Sequence, residues 1–184
     1  MGKRAEVIFA SCTLVLTACI TEPTSQTANS DSSHIAVCNG QNGGKRCFAN
    51  VRVDLNGERI TADASSGLGA ADLASAYELD TSVNPSATIA IIDAYGYSSL
   101  ESDLSHYRSQ YGLPACTSAS GCLKIVNQSG QTSPLPSDPP SNDDWTTETA
   151  LDVDMASAGC PKCKILVVQA DDDMGNGLDR KSVV

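Results

Sequence analysis

Glu148 and Asp152 are the residues whose type and spacing could do chemistry. They stand four apart within DDWTTETALDVDMASAGC, residues 143–160. On a helix that spacing puts both carboxylates on one face, one turn from each other. Trp145 and Met155 lie three residues outside the pair on roughly the same face, so apolar neighbours are expected. Two exposed like charges so placed cost only a few tenths of a kcal/mol. Two desolvated ones cannot both ionise easily, and one is pushed toward holding its proton. A proton-sharing carboxylate pair suits general base catalysis at acid pH. The bland reading stands beside this one. Asp138, Asp143, Asp144 and Asp154 make the whole region acidic, and acidic helix faces are usually solvated.

The elements that must hold this pair follow from the hydrophobic pattern. Residues 144–158 read as a helix, and 164–170 (KILVVQA) as a buried strand. Upstream, 87–93 (ATIAIID) is a short, partly β-branched run. It suits a strand covered on both faces in a parallel sheet. It ends at Asp93-Ala94-Tyr95-Gly96, at the strand edge where α/β sheets place their sites. A helix follows with Leu100, Leu104, Tyr107 and Tyr111 as its apolar face. Ser98 or Ser99 is its cap, and Gly112 and Pro114 are its stop. Residues 123–127 form a further strand, and 128–142 a Pro/Ser-rich loop. The order β-α-β-α-β implies right-handed crossovers and a mostly parallel sheet. A short helix is expected at 71–79. Residues 49–55 alternate polar and apolar before Asn56-Gly57, a strong hairpin turn.

The 184 residues suggest one domain with appendages, and a 41% apolar fraction is enough for a core. The net charge of −10 argues against nucleic acid as a partner, because phosphate binding needs a basic surface. Lys3 and Arg4 precede the apolar run Val7–Leu16, which is too short to span a bilayer comfortably. The run ends in Leu16-Thr17-Ala18-Cys19. Residues 1–18 therefore read as a signal peptide. Cys19 placed after Ala18 resembles a bacterial lipobox, which implies cleavage there and acylation of Cys19. The expected location is export, either as a cell-envelope lipoprotein or secreted. The membrane would be met only through the anchor at Cys19. Residues 19–33 read as a flexible tether.

Six further cysteines, 38, 47, 116, 122, 160 and 163, make an even set in an exported chain and read as disulfides. Local pairing would join Cys38 to Cys47, Cys116 to Cys122 and Cys160 to Cys163, although six cysteines allow about fifteen patterns. Cys160-Pro161-Lys162-Cys163 closes a helix, whereas redox motifs of that form open one, so a structural bridge is favoured. A four-thiolate zinc site from the last four cysteines is the weaker alternative. The acidic run 171–177 departs from a calcium loop, because Gly175 stands where a ligand belongs. His34 and His106 are the only histidines, and neither has the context of a Ser-His-Asp triad.

Taken in order, GLGAADLASAYEL (67–79), ATIAIIDAYGY (87–97), ESDLSHYRSQYGLPACT (101–117), GCLKIVNQSG (121–130) and WTTETALDVDMASAGCPKCKILVVQA (145–170) carry a resemblance. The chain resembles the sedolisins, the serine-carboxyl peptidases with the subtilisin fold, over residues 67–178. The resemblance implies that Glu148 is the general base for a serine nucleophile, that Asp152 supports it, and that Asp93 is a third acid beside them. It implies peptide-bond hydrolysis through an acyl-enzyme, with peptides or proteins as substrates. The expected fold is α/β, an incomplete subtilisin-like parallel sheet with flanking helices, preceded by a small cysteine-bounded β hairpin at 34–66.

The family's nucleophile lies in a downstream Gly-Thr-Ser-x-Ser motif, and no such motif occurs in the 184 residues. Its oxyanion Asp and its calcium ligands also lie downstream of the matched part, so no cofactor is expected here. Residues 179–184 do not continue the resemblance. The expectation is a peptidase interrupted before its nucleophile and inactive alone, since a base without nucleophile or oxyanion donors does not hydrolyse peptides at enzyme-like rates. The reading from another class is a surface interaction lipoprotein that retains a peptidase-like half-domain.

Overall fold

The computed structural model describes residues 33–38, 40, 43–60, 68–82, 86–174 and 178. The signal peptide, Cys19, nearly all of the tether and the 179–184 tail lie outside these residues.

Two strands form the small N-terminal unit. β1 (Ser33–Ala36) pairs antiparallel with β2 (Asn50–Val53), Ala36 opposite Asn50. The turn expected at Asn56-Gly57 is present. Gly57 takes φ 82°, and Asp54 Oδ1 accepts the Asn56 and Glu58 N–H groups. That turn closes only one bridge, Val53 to Arg59. The main partner of β2 is β1, which comes from before the Cys38–Cys47 bridge rather than from after the turn.

The helix α1 (Ala70–Ala76) leads into β3 (Thr88–Ala94), α2 (Leu100–Gln110), β4 (Leu123–Asn127), α3 (Trp145–Gly159) and β5 (Lys164–Ala170). The three long strands are parallel in the order β3-β5-β4. β5 is therefore the central strand, with its apolar Ile165–Val168 run between β3 and β4. Central position suits the run, since it is paired on both sides.

The expectation of right-handed crossovers does not hold for both connections. Ile89 and Ile91, Ile165 and Val167, and Leu123 and Ile125 are in register and face one side of the sheet. There they pack with Leu100 and Leu104 of α2 and Val153 of α3 in one apolar cluster. Both crossover helices thus cover the same face. The first connection moves two places across the sheet and the second returns one place. Two crossovers in opposite directions over one face have opposite hands, so one is left-handed, an arrangement found in only about 2% of such units. On the other face Ile92, Leu166 and Val168 are half-buried.

Leu100, Leu104 and Arg108 form the buried stripe of α2 at spacings of four. Arg108 was not legible as a core position, yet it is 1% exposed. It donates to Pro114 O (2.5 Å), Ser157 Oγ (2.9 Å) and Pro161 O (2.5 Å). It therefore ties α2 to the C-terminal end of α3, where a cation meets the helix's negative pole. Ser99 stands at the N-cap of α2, but its hydroxyl donates to Asp103 and accepts no backbone N–H. Ser98 instead bonds Asp138 across the 128–142 loop. We predict that Arg108→Ala strands the buried acceptors on Ser157 and Pro161 and lowers stability by about 3 kcal/mol or more. Urea unfolding should show a lower midpoint with unchanged slope, and Arg108→Lys should recover only part of the loss.

Candidate functional site

The buried side of α3 runs through Trp145, Thr149, Val153 and Ser157, spaced by four. Glu148 and Asp152 lie at the margin of that stripe, so the sheet alone does not bury them. Asp144 opens the helix by accepting Thr147 N–H at 3.2 Å. Burial pushes the Asp144 carboxyl up, but hydrogen bonds from Thr146, Thr147 and Arg59 outweigh it and bring its pKa to about 2. Trp145 is buried as expected. Met155 is exposed on the outer side of the helix and does not flank the acids.

The structure brings Asp93, Glu148 and Asp152 together. Asp93 ends β3 on the side that faces α3 and is 4% exposed. Burial, then the charges of Asp152 and Glu148, raise its pKa to about 7, and a hydrogen bond with Thr149 opposes the rise. Asp152 is half-buried, and burial followed by the Glu148 charge raises it as well. The acids of this group whose pKa values rise are therefore Asp93 and Asp152. A second raised acid on α3, Asp154, turns the other way. Burial and then Asp103 push it to about 7.

Glu148 is buried by the hairpin segment. Its Oε1 accepts Phe48 N–H at 3.2 Å and its Oε2 accepts Ala49 N–H at 2.6 Å. Successive backbone N–H groups that converge on one carboxyl group form an anion-binding nest. The Cys38–Cys47 bridge holds the segment. Asp144 N–H to Val37 O (3.1 Å) and Lys45 N–H to Asp173 O (2.7 Å) fasten it to α3 and to the loop after β5. Val37, Cys38, Cys47 and Ala49 pack with Ala94 and Trp145 beneath. Gly44 is needed here because a Cβ would lie 1.9 Å from Asp173 Oδ2. No sequence pattern marks Phe48 and Ala49 as partners of Glu148. They act through main-chain N–H groups about a hundred residues away.

At the C-terminal edge of the sheet lies a cleft of about 230 Å³ lined by Tyr95, Asn142, Asp143, Asp172 and Asp173 among others; Asp93, Glu148 and Asp152 do not line it. Tyr95 takes φ 66°, a left-handed conformation that costs a non-glycine residue roughly 1–3 kcal/mol. Its N–H bonds Ala170 O at 2.8 Å and its hydroxyl bonds Asp173 Oδ1 at 3.1 Å. Gly96 follows because a Cβ there would meet Pro136 O at 2.1 Å.

The cysteines pair locally, as Cys38–Cys47, Cys116–Cys122 and Cys160–Cys163. Bridged sulfurs are not thiolates, so the four-thiolate zinc alternative is overturned. Among the described residues no group of three His, Cys, Asp or Glu could hold a metal, and no helix is long and apolar enough to cross a membrane. His34 and His106 are exposed. Comparison with protein-family models, curated proteins and solved structures found no match to this chain.

Asp93 and Asp154 contribute to the pH dependence of stability. Each has a folded pKa near 7, above its unfolded value, so the native state binds more protons between about pH 4 and 7 and stability falls as pH rises through that window. We predict that Asp93→Asn removes its share, on the order of 3 kcal/mol between pH 4 and 8. Urea titrations at both pH values should show the variant gaining on the parent at pH 8. An equal pH slope in the two proteins would refute the shift. Glu148→Gln should strand one of the two N–H groups, cost about 1–3 kcal/mol, and raise hydrogen exchange at Phe48 and Ala49.

Proposed function

We propose that the chain carries the base-bearing part of a serine-type endopeptidase of sedolisin kind, on a subtilisin-like sheet. In this reading Glu148 takes the proton of a serine hydroxyl, Asp152 supports Glu148, and Asp93 is the third acid of the group. The serine and its oxyanion donors come from outside the 184 residues, either from further sequence or from a second chain. Substrates are peptides or proteins. The protein is exported, and lipid on Cys19 is its attachment to a membrane.

One observation carries this reading. Three carboxyl groups from two elements share a desolvated site at the C-terminal edge of a parallel sheet, and two of them have raised pKa values. Like charges gathered and desolvated are costly, and such clusters are concentrated where proton transfer is required. The strained Tyr95 and the adjoining cleft support a site at the same edge.

A second reading is favoured by a different observation. Both oxygens of Glu148 are already occupied by the Phe48 and Ala49 N–H groups. A base needs an oxygen facing its substrate proton; each oxygen keeps a second lone pair, but Glu148 is only 8% exposed beneath the hairpin segment, so access requires that segment to shift. If it does not shift, Glu148 is an anchor for the hairpin. The chain is then a non-catalytic interaction lipoprotein with a peptidase-like half-domain.

The test is purification of the natural product under gentle extraction, fluorophosphonate labelling of reactive serine, and assay on denatured protein at pH 3–6. The peptidase reading expects a labelled serine, in the same polypeptide or in a co-purifying one, and acid endopeptidase activity. Glu148→Gln should then lower kcat by about 10²–10⁴ with KM little changed. The 184-residue chain alone should cleave nothing. Absence of both labelling and acid cleavage in the natural product leaves the anchoring role.

A further inference from the structure

Gln169 is the one polar side chain on the apolar side of β5. Strand alternation puts it in line with Ile165 and Val167, which face α2 and α3. It is 1% exposed, and neither its amide nitrogen nor its amide oxygen has a hydrogen-bond partner. Its Cα partner across the ladder is Asp93. Asp93 points to the same side, since Thr149, Asp152 and Glu148 of α3 all act on it, and its Oδ2 is buried without a partner. Two unpartnered polar groups therefore sit on adjacent strands, at one level, on one side of the sheet.

Each such group costs about 1–3 kcal/mol when left unpaired in an interior, and neighbouring strands are only about 5 Å apart. A leucine or valine at 169 would continue the strand without that cost. We propose that Gln169 is a positioning residue for Asp93. A rotation of the Gln169 amide that brings the side-chain N–H to Asp93 Oδ2 pairs both groups and keeps that carboxyl group directed at Asp152 and Glu148. The inference deepens the peptidase reading and rests on it for its catalytic meaning.

The chemistry is that of an outer support. The acids of α3 receive Asp93 from the sheet below, and Gln169 fixes the rotation of Asp93 about its own side-chain bonds. Thr149 constrains Asp93 from the helix, but its hydroxyl also donates to Trp145 O at 2.9 Å. A hydroxyl has one proton to give, so Thr149 alone does not secure a carboxylate at Asp93. The amide of Gln169 supplies a donor from the other side. The charged groups that act on Asp93 come from α3, namely Asp152 and Glu148, while β5 presents the uncharged amide.

The experiment is a pH titration of the isotopically labelled full chain by NMR between pH 4 and 9, following the Asp93 carboxyl carbon and the Gln169 side-chain NH₂. The two signals should move together with one midpoint. A donated N–H favours carboxylate over acid, so Gln169→Leu should raise the Asp93 midpoint by about one unit. A Gln169 amide that stays flat while Asp93 titrates in the parent protein overturns the proposal. So does an unchanged midpoint in a folded Gln169→Leu variant. If that variant does not fold, the parent titration decides alone. In an assembled peptidase Gln169→Leu should displace the pH profile of kcat in the same direction and leave KM within about threefold. The titration does not depend on turnover, so failure of the hydrogen bond and failure of the peptidase reading are separately visible.

Discussion

The carboxyl group of Glu148 is the buried polar contact between the hairpin and the helix on which the site depends. A hairpin of two four-residue strands has little core of its own, and an isolated two-stranded hairpin is marginal in water. The disulfide limits the conformations of the segment, but it does not say where the segment should dock. The N–H groups of Phe48 and Ala49, whose acceptor among the described residues is Glu148, help to do so, together with the Val37 and Lys45 backbone bonds. Burying that carboxyl group without them would strand it in a low-dielectric site. The hairpin thus depends on the helix for its place, and the helix depends on the hairpin to keep a marginal acid out of water.

The same constraint gives the site its chemical character. Once Glu148 is covered, Asp152 and Asp93 are close to a charge they cannot escape by solvation. Their raised pKa values follow from burial first and charge second. A solvated acidic face would show neither. The acidic reading of this helix and the catalytic one differ in one physical quantity, the water around the carboxyl groups. The structure removes that water from Asp93 and Glu148 and leaves Asp152 half-covered.

The sheet determines how this arrangement is held. Placing α2 and α3 on one face requires a left-handed connection, an expensive topology. Arg108 secures it by bonding both helices and the turn after α3. Its acceptors Ser157 and Pro161 lie 49 and 53 residues from it in sequence and come within reach only when both helices share that face. The buried guanidinium therefore acts as a specificity device as well as a source of stability.

Much of the local structure was legible from residue types. The helix at 144–158 and the strands at 123–127 and 164–170 follow from apolar periodicity within a residue or so of their observed bounds. The three short disulfide loops follow from even count and local spacing, and the pairing of Glu148 with Asp152 from a spacing of four. These are near-neighbour properties, set by backbone geometry that every chain shares. What the tertiary structure decided is non-local. The order β3-β5-β4 and the shared face of α2 and α3 depend on which apolar surfaces meet, and several orders satisfy the same periodicity. The Glu148 clamp uses main-chain N–H groups, which every residue but proline carries, so no residue type marks it. Arg108 and Gln169 occupy positions where the pattern calls for an apolar residue. The Ser157 and Pro161 acceptors of Arg108 lie on α3 and the turn after it, and the neighbour of Gln169 across the ladder is Asp93; only the fold brings these within reach.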